Sequence, residues 1–452
     1  MDFAPRPEND FRRFIDTYYT RCREVCPKIR AIAGKWEFED LIPGLSDFDT
    51  RFIVDHSTTV EDWAQMSLAV GAVHTELARE EPQWARILEH LPGINLTAAE
   101  AAHPAMYSPE FRQWTFHLGN PQIIAPIESS LGSKPWSARD ELFHLKKIAL
   151  YFGPYQRGID PPINLGRWET KYALHSRLMH YFTPPVQAAV SLATRCTVRG
   201  KLESLRMARE LFAQPHVIDI VLDTVARHYE VPDLYDDPGL EQLERELEGY
   251  LQTAWSRLAG CVSLIEVDPA DSREDLRRKT AAVWYDPGDA VFSSLRFARF
   301  LKGRLLFYAR SIPWFDSEWL IRNELGRMVA NFHRTPLVAY GQIRFSEKLA
   351  PEEVLDRLRG NLLDDDVCDG VKAFVDLVNA PLAPGQERQR ATEAAAAYDA
   401  IHTMIVALSA DVLARGAAAE AKRPTSVLGS GGPLTSPSPH SAPQEPEPCD
   451  EP

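Results

Sequence analysis

Apolar residues recur at helical spacing over residues 9–27, where Phe11, Phe14, Ile15, Tyr18 and Tyr19 fall on one face. That predicts an amphipathic helix capped by Asn9 or Asp10. Residues 28–33 (KIRAIA) form a short apolar run suited to a buried strand, and Gly34-Lys35 closes it. WEFEDL at 36–41 suits a helical turn, which Pro43-Gly44 breaks. A second apolar run then opens at Asp47-Phe48-Asp49 and continues to Val54. The spacing predicts a long helix over 60–79, with Ser57-Thr58-Thr59 and Glu61 as its start signal, and a short helix over 83–91. Residues 111–118 (FRQWTFHL) alternate in the manner of a strand.

From residue 138 onward helical periods dominate. Candidates are 138–151, 168–181, 185–194, 200–212, 216–228, 240–258, 272–283, 293–312, 317–332, 351–363, 367–378 and 387–415. The pattern therefore predicts an α+β chain, with a small mixed sheet and its helices followed by a large, mainly helical region. Expected boundaries are 1–135 for the α/β unit, 136–235 and 236–422 for two helical parts, and 423–452 for a tail. VPDLYDDPG at 231–239 marks the division between the helical parts. The tail is rich in Pro, Ser and Gly and is expected to be disordered, having little apolar surface to bury.

Charge narrows the partners. The chain has 452 residues and a net charge of −14. Binding a nucleic-acid backbone relies on Lys and Arg replacing counterions, so a long nucleic-acid substrate is not expected. No apolar run suggests a bilayer-spanning helix or a signal core, so a cytoplasmic protein with no membrane partner is expected. Cys22 and Cys26 stand four residues apart with no second Cys/His pair nearby, and read as reduced thiols rather than a zinc site.

The chemistry concentrates in residues 34–54. Residues i and i+2 of a strand share a face, so Asp47 and Asp49 project together while Phe48 points into the core. Paired carboxylates repel, and a hard divalent cation such as Mg²⁺ relieves that repulsion. Arg51 shares the face of Asp49, to offer charge to a ligand or to pair with it. The order strand, Gly34-Lys35, short helix, Pro43-Gly44, Ser46-Asp47-Phe48-Asp49 resembles the signature of the polymerase-β-like nucleotidyltransferases, and also the motif of the glutamine-synthetase adenylyltransferases. The resemblance covers about the first 55 residues well and the first 120 loosely. It implies a nucleotidyltransferase palm, Mg²⁺ held by Asp47 and Asp49, and triphosphate contacts from Gly34, Lys35 and Ser46. Lys35 departs from the family, which has Ser or Gly there. A third site group is expected on a later strand, where His117 is the candidate and Glu110 the nearest acid. The implied reaction moves a nucleoside monophosphate, AMP from ATP first among them, onto a small-molecule or protein acceptor with release of pyrophosphate.

The helical part offers further candidates. Trp168-Glu169-Thr170-Lys171-Tyr172 is dense in polar and aromatic groups, with Glu169 as a base on the acceptor. Arg195, Arg199 and Lys201 form a basic cluster facing either a triphosphate or nearby acids. Arg327 and His333 loosely resemble the catalytic spacing of the helical HEPN ribonucleases. Asp364-Asp365-Asp366 reads as a solvated loop or a helix-start charge run. Two rival readings stand beside the enzyme: a degenerate nucleotidyltransferase fold serving as a regulatory or partner-binding module, and a HEPN-like RNase or toxin–antitoxin protein.

Overall fold

The structure is a computed structural model that describes residues 8–35, 37–41, 49–81, 88, 91–151, 182–230, 240–283, 286–310 and 317–421. The fold is α+β, with a four-stranded mixed sheet and a large helical region. Helix α1 (Glu8–Val25) buries Phe11, Phe14, Ile15, Tyr18, Tyr19 and Cys22, the face that its spacing predicts. Strands β1 (Ile29–Gly34) and β2 (Thr50–Val54) pair antiparallel. Helix α2 (Val60–Glu80) starts on a reciprocal cap, in which Thr59 Oγ1 accepts the Asp62 N–H and the Asp62 carboxylate accepts the Thr59 N–H. The expected partner Glu61 lies one position too early for that geometry.

Two strands complete the sheet in the order β3-β2-β1-β4. Strand β3 (Ile94–Thr97) lies parallel to β2, and β4 (Thr115–Gly119) antiparallel to β1. The sequence reading did not anticipate β3, whose four residues run directly into a one-turn helix over Ala98–Ala102. The strand expected over 111–118 is half 3₁₀ turn, because Pro109 starts a helical turn that lasts to Gln113. Helix α4 (Pro121–Gly132) follows.

The central strand β2 is buried at every position. On one face Phe52 meets Tyr18 of α1 and Phe300 of the distant helical part. Tyr18 also shares a 2.7 Å hydrogen bond with His74 of α2. The other face carries Arg51 toward the site.

Two hydrophobic clusters organise the chain. The first joins the sheet and its helices to the C-terminal helices, running from Phe11 to Leu131 and again from Ala290 to Leu408. The second spans Leu145 to Leu276. The helical region thus divides by packing at its two ends: residues on both sides of 235 share the second cluster, and residues beyond 290 return to the sheet. The seam between α2 and the helix Leu301–Ala309 is very close. A Cβ on Gly303 would stand 2.1 Å from the Ser67 carbonyl oxygen, so only glycine fits. The helix expected over 293–312 is broken into Pro287–Ala298 and Leu301–Ala309. The break lies at Arg299, which turns inward to bind Glu100, and at Phe300, whose carbonyl accepts from Ser67 Oγ.

The last helix, Glu387–Ala421, differs from expectation in one respect. Its stretch Glu387–Gly416 is long enough, and contains a window apolar enough, to cross a membrane by length and composition. Its apolar side, including Tyr398, Ile401, Met404 and Leu408, packs inside the first cluster. The expected helix 168–181 and the tail 423–452 lie outside the described residues, as do most of 83–91 and the division at 231–239.

Candidate functional site

The site forms where β1 and β2 end together. Gly34 pairs with Thr50, and the next rung is a single main-chain bond, in which the Lys35 N–H donates to the Asp49 carbonyl at 3.2 Å. Directly opposed residues of an antiparallel pair hold their Cβ atoms roughly 4.5–5.5 Å apart. The side chains of Lys35 and Asp49 therefore leave the sheet as neighbours. Gly34 is buried at this end, beside Thr115 of β4. Thr115 Oγ1 donates to the Glu37 carboxylate at 2.5 Å, which fixes the chain just past Lys35.

Arg51 makes the floor, with its side chain only 5% exposed. Its Nη1 donates to Asp49 Oδ1 at 2.8 Å, and its Nε and Nη2 donate to Glu110 Oε1 at 3.1 and 2.8 Å. Burial pulls the guanidinium down, but Asp49 and then Glu110 outweigh it and hold it above its ordinary value. Burial likewise pushes Glu110 up, and Lys35 and Arg51 reverse this and keep its carboxyl below the usual range. The alternative in which Arg51 pairs with Asp49 is the one the fold adopts, and Glu110 joins the pair.

The opposite wall comes from the second cluster. Helix α5 (Ala138–Tyr151) presents His144 and Lys147 three residues apart, on one face. Lys147 Nζ donates to Gln187 Oε1 at 2.8 Å. Gln187 is itself fixed through its amide, which donates to the Val198 and Arg199 carbonyls. Burial, and then Lys35 and Lys201, hold Lys147 well below the ordinary lysine range. His144 is fully buried, stacks on Trp136 with centroids 5.5 Å apart, and has no hydrogen bond at either ring nitrogen among the described residues. Burial, then Lys147 and Lys35, keep its imidazole neutral.

Lys201 is brought here by a remote cap. The helix Lys201–Leu211 begins at Gly200, which has no side chain to cap it. Asp40, in the turn after β1, accepts the N–H groups of Lys201 and Leu202 at 2.8 and 2.9 Å. Burial raises the Asp40 carboxyl despite those bonds. A carboxylate at a helix N-terminus satisfies orphan donors and faces the positive end of the helix dipole.

The expected site residues separate into three groups. Gly34, Lys35 and Asp49 lie together. Asp47 and Ser46 fall outside the described residues. His117 sits on β4, edge-on to Phe38 with centroids 5.0 Å apart, and β1 stands between its strand and β2. Glu110, not His117, is the side chain that reaches Asp49 through a shared partner. Among the described residues no three His, Cys, Asp or Glu side chains form a metal-binding group.

Of the basic cluster, Lys201 faces the site, while Arg195 is exposed and Arg199 donates to the Arg112 carbonyl. Arg327 is exposed and paired with Glu324, whereas His333 is buried and held low by burial. Asp364 precedes a helix whose first turn carries Asp365 and Asp366, as its charge run suggests. Cys22 and Cys26 are buried thiols, and burial pushes Cys26 up to about 11. The motif around Glu169 lies outside the described residues.

Sequence reasoning missed His144, Lys147 and Gln187. The available signal was a histidine and a lysine three apart within a helix whose apolar stripe also holds Leu145 and Ile148. No protein-family model, no curated protein and no solved structure matches this chain.

Proposed function

We propose that this chain is a Mg²⁺-dependent nucleotidyltransferase built on a nucleotidyltransferase-like palm. It transfers a nucleoside monophosphate, AMP from ATP first among the candidates, to a small-molecule or protein acceptor. The carrying observation is the gathering of Lys35, Lys147 and Lys201 where β1 and β2 end, close enough that Lys35 and Lys201 act on the Lys147 charge, with Lys147 bonded to a neutral amide rather than a carboxylate. Like charges held together are costly; Glu110 and Asp49 offset part of that cost at Lys147, and a polyphosphate supplies further counter-charge. The chain as a whole is acidic, so three lysines gathered at one place stand out against its background.

The donor set fits the ion. Asp49 offers hard carboxylate oxygens at the sheet end, and Mg²⁺ takes one or two carboxylates together with substrate phosphates. Asp49 with Asp47 would hold it, and when bound it supplies charge neutralisation at the reacting phosphate. The chain's own residues do the rest. Lys35, Lys147 and Lys201 orient the phosphates. Arg51, fixed by Glu110, aims the Asp49 carboxylate. Asp40 keeps Lys201 at the rim.

Calorimetry with magnesium and each nucleoside triphosphate, together with a pyrophosphate-release assay, tests this reading. Asp49→Asn should abolish release and weaken magnesium-dependent nucleotide binding at least tenfold. Unchanged binding and release in Asp49→Asn combined with Asp47→Asn would overturn it.

A second reading has one observation of its own. Arg51 engages both oxygens of Asp49, with Nη2 to Oδ2 at 3.4 Å, as in a structural pair. That favours a module that binds nucleotide without transferring it. Nucleotide binding that is indifferent to magnesium and yields no pyrophosphate selects this second reading.

A further inference from the structure

A cavity of about 810 Å³ lies between α5 and the C-terminal helices, within the size range of small-molecule sites. Its walls include the aromatic side chains of Phe143, Phe297 and Phe332. Phe297 is 43% exposed although its neighbours on the helix are buried, so a large apolar surface faces the opening.

Arg296 lines this cavity and is itself only 6% exposed. A buried arginine is ordinarily paired with an acid. Arg296 instead makes one hydrogen bond, from Nη1 to the Met106 carbonyl at 3.1 Å, and lies over the Phe111 ring at 5.5 Å. Among the described residues it has no ion pair.

The acids nearest to it are committed elsewhere. Glu110 is held by Arg51. Asp289 pairs with Arg139 at 3.2 Å, and Arg139 also donates to Asp286 at 2.8 Å. The remaining lining acid, Glu324, serves both Arg304 and Arg327. Most of the five guanidinium donors of Arg296 are therefore left for something else. Burial pushes Arg296 down only to about 10, so it is charged at neutral pH.

We propose that this cavity binds a small organic anion with a flat apolar body, its single anionic head seated on Arg296 and its body against Phe143, Phe297 and Phe332. The pairing matches the two unmet demands of the cavity wall. A planar carboxylate takes two parallel N–H donors from a guanidinium, and the rings take apolar area out of water. None of Lys35, Lys147 and Lys201 lines this cavity, although Phe297 and Arg304 approach the Arg51 floor of the site beside Gly93.

The test uses the full chain, with 1-naphthoate and its neutral counterpart 1-naphthalenemethanol as probes, titrated by calorimetry without nucleotide or metal. The expected result is naphthoate binding about tenfold tighter than the alcohol. Arg296→Gln should erase that preference while leaving binding of the alcohol in place. Ser293→Trp, which fills the cavity and keeps Arg296, should remove binding of both. Equal affinity for the two probes, no binding of either at millimolar concentration, or naphthoate binding that survives Ser293→Trp would overturn the proposal. Because no triphosphate is present, these outcomes stand apart from success or failure of the nucleotidyltransferase reading.

Discussion

Arg51 and Lys147 are basic side chains at one site, and their surroundings treat them in opposite ways. Arg51 belongs to the sheet cluster and has two carboxylates within hydrogen-bond distance. Lys147 belongs to the helical cluster and has a neutral amide, with two further lysines raising the cost of its charge. The sheet side of the site is electrically complete without a ligand, like the Arg299–Glu100 pair that anchors the same cluster. The helical side is not. A folding scaffold closes its own charges, whereas a binding wall leaves one open, so the contrast separates the base that the fold holds for itself from the base left for an anion.

The largest test of that contrast is Arg51→Met. It leaves Glu110 and Asp49 facing each other in a buried place, and should cost about 3–5 kcal/mol in denaturant unfolding. A loss below about 1 kcal/mol would break the comparison, because Arg51 would then not be holding the floor together. Next in size, Lys147→Met should leave the unliganded protein as stable as before or more so, since replacing an ill-compensated ion by an apolar group is often neutral or stabilising. It should also weaken tripolyphosphate binding by about 1.5–3 kcal/mol, read by calorimetry. Lost stability with unchanged tripolyphosphate affinity would reassign Lys147 to the scaffold.

The smallest effect concerns pH. Burial raises the Asp289 carboxyl to about 6, although Arg139 opposes it. Between the ordinary aspartate value and about 6 the folded state keeps a proton that the unfolded state releases. Stability from this group therefore falls as pH rises through that window and is level above it. Asp289→Asn should flatten the slope in thermal melts at pH 4 to 6, and an unchanged slope would assign it to other groups.

Much of the fold was legible. The helices over Ala138–Tyr151, Leu240–Ser256 and Asp365–Asn379 follow their apolar spacing closely, because each buries one continuous stripe. Strand β3 was not legible, since four residues give too little alternation to separate from the helix that follows. At the site, the nearness of Gly34, Lys35 and Asp49 follows from a strand, a break and a second strand that must pair. The surroundings of His117 were not legible, because a strand position does not reveal which neighbour the strand will choose, and β4 pairs with β1. Lys147 and His144 lie about a hundred residues from the motif, and their spacing beside Leu145 and Ile148 does not say which distant residues they will meet.

The rung between Lys35 and Asp49 has a consequence for how this protein can change over time. The bond uses the amide of residue 35 and the carbonyl of residue 49, so the spacing of the two strands does not depend on which side chain position 35 carries. Replacing Lys35 with serine or glycine would alter what meets a ligand there while the acidic partner stays where it is. Chemical preference and backbone frame are thus separable at this position, and selection can revise one without rebuilding the other.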